Sequence, residues 1–243
     1  VLIFARIYGI DWSLASKPLE SYRCIGEFFT RDLRDGLRPI ATSALVSPVD
    51  GKLRDCESLE STGAITQVKG KQYTVAALLA EDPYAEAFKN GQLWNFYLSP
   101  SDAHHIYAPV DGRIVKTVHI PGKLWPVNDW ALHSIENLFA VNERVVTYIQ
   151  TETGLVAVVM VGATNVGRIS LAYASLETNQ TPWKSKRLTS QVHEPAIPVV
   201  KGQKIGTFKM GSSVVVLSEG RRFEPVNLPK LRSVRLGEPL AGC

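Results

Sequence analysis

The chain has 243 residues, 45% apolar and 21% charged, enough for one large core or two small ones, and it contains no low-complexity tract. Its net charge of +4 comes without a long basic run interleaved with aromatics, which argues against nucleic acid as a partner. Cys24, Cys56 and Cys243 are odd in number and widely spaced, so they form neither a disulfide framework nor a zinc pattern and suit a reducing compartment.

The apolar opening VLIFARIYGIDW is broken by Arg6 and Asp11. It falls far short of the roughly 20 residues of a spanning helix. The chain begins at Val1, not Met, which leaves room for a preceding segment such as a membrane anchor. In SYRCIGEFFTRDLRDGLRPI, Tyr22, Ile25, Phe28, Phe29 and Leu33 recur at spacings of three and four. That spacing predicts one helix, capped by Ser21 and stopped by Gly36 and Pro39.

From Leu45 onward the pattern turns to β. QVKGKQYTV predicts a glycine-centred hairpin, and VAALLAEDPYAEAFKNG a helix interrupted near Pro83. QLWNFYL, GRIVKTVHI, RVVTYI, LVAVVMV and RISLAYASL then read as strands, with TETG as a hairpin connection between the third and fourth. SPVDGKL at 47–53 is echoed by APVDGRI at 108–114, and each Pro-Val-Asp-Gly is an efficient turn into a strand. Lys201-Gly202 in VVKGQKIGTF is a third candidate turn of this kind. The expected fold is α+β: a β-rich, pseudo-symmetric antiparallel barrel or sandwich with peripheral N-terminal helices.

Three segments offer chemistry: Asp50 in SPVDG, SPSDAHHIYAP at 99–109 with Asp102, His104 and His105, and Ser212-Ser213 in FKMGSSVVVL. Adjacent histidines in an extended segment point to opposite faces, so no metal site is expected from them. Serine, histidine and aspartate fill the roles of nucleophile, base and orienting carboxylate in acyl chemistry. No G-x-S-x-G elbow surrounds Ser212, so by spacing alone a turn serine and a nucleophile both remain open.

FFTRDLRDGLRPI, SPVDG, YLSPSDAHHIYAPVDG, PGKLWPVN, NLFAVNERV, VGATNVGRI and KGQKIGTFKMGSS follow one another along nearly the whole chain. Together they closely resemble the phosphatidylserine decarboxylases of bacteria and mitochondria. The resemblance implies a single domain over 1–243, with a helical N-terminal region at 1–44 and a β-rich catalytic core at 45–243. It implies a zymogen that cuts itself between Gly211 and Ser212 into a β chain (1–211) and an α chain (212–243). Ser212 Oγ attacks the Gly211 carbonyl, and elimination and hydrolysis then turn Ser212 into a covalent pyruvoyl (pyruvate) group. That group forms a Schiff base with phosphatidylserine and takes up the electrons released with CO2, leaving phosphatidylethanolamine.

In this reading His104 is the base, Asp50 holds its tautomer, and no metal takes part. His105, Tyr107 and Asn128 are candidates for substrate contact. Tyr107 stands where many members have a second histidine, and His105 where arginine is common. Asn142, Glu143 and Arg144 either line the pocket or brace loops, and Leu124, Trp125 and Trp130 meet acyl chains, a bilayer or the core.

Partners implied are the membrane phospholipid substrate, a peripheral membrane surface on the cytoplasmic face of the cell membrane, and the cleaved β and α chains as a heterodimer or a homodimer of these. Basic clusters at Lys184, Lys186 and Arg187, at Arg221 and Arg222, and at Lys230, Arg232 and Arg235 suit an anionic surface. The alternatives are a pyruvoyl decarboxylase of a soluble amino acid and a degenerate, non-cleaving lipid-binding homologue. A biotinyl- or lipoyl-carrier reading of GQKIGTF fits poorly, because Lys209-Met210 inverts the usual Met-Lys order.

Overall fold

The computed structural model describes residues 1–67, 71–164, 168–179, 187–209, 212–220 and 222–242, Ser212 by its backbone alone. The predicted turn at 68–70, the basic residues Lys184, Lys186 and Arg221, Cys243, part of GATNVG and the residues Met210 and Gly211 therefore lie outside the described residues.

The N-terminal region consists of short pieces: α1 (Leu2–Ile7), 3-10 turns at Trp12–Leu14 and Leu19–Ser21, and α2 (Ile25–Phe29). The single helix expected from Ser21 to Gly36 is not formed. Cys24, not Ser21, sits at the N-cap of α2, and Glu27 turns back to accept the Arg23 N–H at 2.8 Å. After Thr30 the backbone becomes extended because it pairs with a segment far upstream. Ser16 N donates to Asp32 O at 2.8 Å, and Arg34 N donates to Leu14 O at 2.9 Å. Periodicity cannot register such a long-range pairing, although the stripe itself buries Phe28 and Phe29.

Strands β1 (Leu45–Val46), β2 (Gly51–Ser58), β3 (Ala64–Thr66) and β4 (Gln72–Thr74) follow, then α3 (Val75–Leu78) and a 3-10 turn at Pro83–Phe88. Next come β5 (Gln92–Leu98), β6 (His105–Tyr107), β7 (Gly112–Ile120), α4 (Asp129–Ser134) and α5 (Leu138–Val141). The chain finishes with β8 (Arg144–Thr151), β9 (Gly154–Val161), β10 (Ile169–Leu171), β11 (Thr189–Val199), β12 (Lys204–Phe208), β13 (Ser212–Ser218), β14 (Glu224–Pro225), β15 (Arg232–Val234) and β16 (Pro239–Gly242). RISLAYASL supplies only the three residues of β10, and bends follow it.

Eight strands form one antiparallel sheet in the order β11-β7-β8-β9-β13-β5-β2-β15. Its centre is apolar on both faces: every residue of β9 (GLVAVVMV) is buried, as are Val214–Leu217 of β13. Such two-sided burial explains why these strands read as continuous apolar runs. A smaller sheet, β10-β12-β6, lies against it, and a Cβ added to Gly206 of β12 would come 2.7 Å from Met160 Sδ of β9. The arrangement is an open sandwich. No closed barrel is present among the described residues, which decides between the two expected forms.

The two Pro-Val-Asp-Gly turns are structural counterparts. A Cβ at Gly51 would meet Tyr97 O at 2.7 Å, and one at Gly112 would meet Gln150 O at 2.4 Å, so each strand start crowds a neighbour's backbone. The turns also bond to each other's flanks: Val46 N to Pro109 O at 3.0 Å and Tyr107 N to Pro48 O at 2.9 Å.

Candidate active site

The strand order gathers the predicted residues at one end of the central sheet. Lys52 faces Tyr97, and Leu98 faces Ser212, so the heads of β2 and β13 flank the tail of β5. Two strand spacings separate those heads, about 10 Å. Asp50 immediately precedes β2, and the segment 99–104 leaves β5 and leads into β6. β6 pairs with β12, and Phe208 N donates to His104 O at 2.9 Å, so the backbone approaching Ser212 runs past His104.

His104 is fully buried, its ring 3.9 Å from that of Phe29 between centroids. Its Nδ1 lies 2.8 Å from the carbonyl oxygen of Asp102. A carbonyl only accepts, so Nδ1 carries the proton and Nε2 the lone pair. Nε2 is buried with no hydrogen-bond partner. Burial, seconded by the nearby charges of Arg31 and His105, pushes the His104 pKa down to about 3 against the opposing bond to Asp102. At neutral pH the group is therefore an uncharged imidazole with a free lone pair. Its loop is braced by Asp102 Oδ2, which accepts from both N and Oγ of Ser99 at 2.7 Å, and by Arg31 Nη2, which donates to Ser101 O at 2.6 Å.

Asp50 does not hold the tautomer of His104, contrary to the sequence-based expectation. Its carboxylate is taken by Arg38, with Nε 2.9 Å from Oδ1 and Nη2 2.7 Å from Oδ2, and Oδ1 also accepts Leu236 N–H at 2.9 Å. The Asp102 carbonyl does the orienting, because it is only two residues away and on the same loop. Tyr107 shares the neighbourhood of Asp50. Burial, with the charges of Asp32 and Asp50 adding to it, raises its hydroxyl to about 12, so it is protonated and no base at neutral pH.

His105 points away from His104. Its Nδ1 lies 2.9 Å from Thr207 Oγ1, and Nε2 is 3.1 Å from Asp32 Oδ1, within ion-pair range but without hydrogen-bond alignment. Burial lowers its pKa to about 4. Asn128 caps α4, its Oδ1 accepting Ala131 N at 3.0 Å. Asn142, Glu143 and Arg144 brace loops. Asn142 bonds Trp125 and Gly162, and Glu143 bonds His119 and Asn179. Arg144 donates to the carbonyls of Ala77, Leu78, Ala140 and Asn142. Trp125 and Trp130 are exposed, at 45% and 62%, so the core is not their place. Ser213 is fully buried, its Oγ unpartnered, between Tyr97 and Val161.

Sequence reasoning put Phe29 on the apolar stripe but not at the site, and gave no roles to Arg31 and Arg38, although all three lie in the quoted FFTRDLRDGLRPI. Nothing in that segment signals which arginine will be buried, since the pairing that buries them is long-range.

A buried neutral base, a tethered carboxylate and a serine pair at a strand head are the furniture of an enzyme. A family model described as phosphatidylserine decarboxylase matches residues 25–242. The chain is 45% identical over 245 residues to a phosphatidylserine decarboxylase proenzyme of Anaeromyxobacter sp. (strain K), covering 99% of this chain and 85% of that protein. Proteins of the same name from Myxococcus xanthus (strain DK1622) and Salmonella paratyphi B are 41% and 38% identical, covering 97% and 98% of this chain and 83% and 76% of their own length. The chain belongs to the phosphatidylserine decarboxylase family.

Proposed function

We propose that the chain is a self-cleaving decarboxylase that converts phosphatidylserine to phosphatidylethanolamine and CO2. The observation that carries the reading is the unpartnered lone pair on buried His104 Nε2, set beside the backbone that leads into Ser212. The proenzyme names of the relatives support the self-cleavage.

In maturation, His104 Nε2 accepts the Ser212 hydroxyl proton as Oγ attacks the Gly211 carbonyl, and the acyl group passes from nitrogen to oxygen. The products are chains 1–211 and 212–243 of one domain, with the first 44 residues as its helical region. The ladder of β13 with β5 and β9 starts at Ser212 and Ser213, so the new terminus stays pinned after the bond is cut. The residues fit a covalent pyruvoyl group at position 212, which supplies a conjugated carbonyl to receive the electrons released with CO2. His104 then returns a proton to the substrate carbon, while Asp50, fixed by Arg38, keeps a carboxylate at the head of β2. His105, Tyr107 and Asn128 remain candidates for substrate contact, and the two cleaved chains form a heterodimer.

The reading places the chain peripherally on the cytoplasmic face of the membrane; attachment to a membrane surface, though not the choice of face, is supported by exposed Ile3, Ile7, Trp12, Trp125 and Trp130. No helix among the described residues is long and apolar enough to cross a membrane. Intact mass after purification and a comparison of phosphatidylserine with free serine as substrate test the proposal. One specific observation, protonated Tyr107 beside Asp50, favours a second reading as a non-cleaving lipid-binding homologue. A chain that stays whole and still floats with phosphatidylserine vesicles would support it.

A further inference from the structure

Apart from the active site, the N-terminal region holds a polar cavity of about 360 Å³ lined by Ser16, Lys17, Tyr22, Arg23 and Arg31. Arg31 is only 4% exposed, yet no carboxylate lies within 4.0 Å of it among the described residues. Its Nη groups donate to the carbonyls of Phe28 and Ser101, and its Nε has no partner. Tyr22 lines the same cavity, and its hydroxyl is likewise buried and unpartnered. Asp102 and Asp50 meet the Arg31 charge only at longer range, and Phe28 only through its ring 4.9 Å away, so a buried guanidinium without a contacting anion is costly unless a counter-ion arrives.

The two carboxylates on the cavity wall cannot be that counter-ion. Glu27 is engaged by Arg23, and Asp32 by Lys204. Lys17 makes no ion pair with any described residue. The cavity thus has Lys17 and Ser16 at its surface and the unpartnered Arg31 Nε and Tyr22 hydroxyl buried in its wall, a donor set matched to a ligand with several anionic oxygens. Elsewhere in the N-terminal region Ile3 (75%), Ile7 (72%) and Ile25 (40%) are exposed.

We infer that this cavity is a binding site for a phosphate oxyanion, of the kind a phospholipid head group or a soluble phosphate ester presents. Because Arg31 also holds Ser101 in the loop before His104, an occupant would touch the same side chain that braces the active-site loop. The inference uses the proposed phospholipid reading only to choose the lipid source.

The test uses the full chain in two arms. In the first, flotation compares vesicles of phosphatidylcholine with vesicles of phosphatidylcholine and phosphatidylglycerol. In the second, melting in inorganic phosphate is compared with chloride at equal ionic strength. Wild type binds the anionic vesicles more tightly and melts higher in phosphate. Lys17→Gln weakens vesicle binding about five-fold, as expected for one basic group near an anionic surface. Arg31→Gln weakens it further, and Lys89→Gln, in an exposed pair with Glu86, leaves it unchanged. Stabilisation by phosphate without preference for anionic vesicles supports the site and assigns it to a soluble ester. Equal behaviour of Lys17→Gln and Lys89→Gln, with no phosphate effect beyond chloride, overturns the inference; Lys17 is at the surface, so misfolding cannot excuse that result. Decarboxylation of detergent-dispersed phosphatidylserine, measured separately, reports on the proposed activity and not on this site.

Discussion

Arg38 grips both carboxylate oxygens of Asp50, with Nη2 2.7 Å from Oδ2 and Nε 2.9 Å from Oδ1, and both side chains are nearly out of solvent. The pair ties the helical N-terminal region to the head of β2, two strands from Ser212. Removing either partner leaves the other buried and unpaired. Asp50→Asn and Arg38→Gln should each destabilise the protein by about 2–3 kcal/mol, below the roughly 3–5 kcal/mol of a fully buried pair because both side chains keep some exposure. The double variant should cost less than the sum, because each single variant leaves one unpaired charge and the double leaves none. Urea unfolding in a Ser212→Ala background, where cleavage does not interfere, measures all three. Additive losses would mean that the two side chains act independently.

Folding keeps His104 neutral, its pKa depressed to about 3 from an ordinary 6.5. The unfolded chain therefore binds the extra proton between those values, and stability falls as pH drops from about 6.5 toward 3. Above 6.5 this term is constant. His105, depressed to about 4, adds to the same window with the same sign. His104→Phe should flatten part of the acid limb of the urea midpoint plotted against pH, an effect on the order of a few kcal/mol. An unchanged limb would mean that the ring is charged or solvated in the folded state.

His104 and Tyr107 can be told apart as the base for cleavage. His104→Gln should reduce self-cleavage at least a hundred-fold, in the usual range for a general base. Tyr107→Phe should change it only a few-fold, since a hydroxyl held near pKa 12 is not deprotonated. The fraction cleaved against time on denaturing gels reads both. The reverse ranking would move the base to Tyr107 and its Asp50 neighbour.

Arg144 is a structural clamp. Its guanidinium satisfies carbonyls from α3, α5 and the residue before the turn into β8, and burial lowers its pKa to about 10. Lysine offers a point charge in place of the planar fork and cannot reach all four acceptors. Arg144→Lys should cost about 2–4 kcal/mol by leaving buried carbonyls unpaired, with catalysis per folded molecule unaltered. Loss of specific activity at full stability would show that Arg144 belongs to the substrate pocket.

Much of the sheet was legible from the chain because β5, β8 and β9 are largely apolar runs and β7 carries Ile114, Val115, Val118 and Ile120 among polar residues, with Gly, Pro or Asn at their ends. Their order was not legible, since β13 inserts between β9 and β5 and nothing local in VVVL names its neighbours. The N-terminal stripe gave the right buried residues and the wrong element, because residues 32–34 pair with 14–16 and so cut the helix short. At the proposed site, Asp50, His104 and Ser212 were singled out by motif, and topology gathers their chain positions at one sheet end. Their connections were not readable. Which group bonds Asp50 depends on where Arg38 arrives, and the orienting group for His104 is a backbone carbonyl, which carries no sequence signature.

The serine pair offers the most direct test. Intact mass spectrometry of the purified protein should find two species, residues 1–211 and a 32-residue fragment from 212 to 243 lacking its terminal amine. Ser212→Ala should give one uncut chain, and Ser213→Ala should still cleave, more slowly. A wild-type protein that remains a single unmodified chain of 243 residues after prolonged incubation would contradict the account.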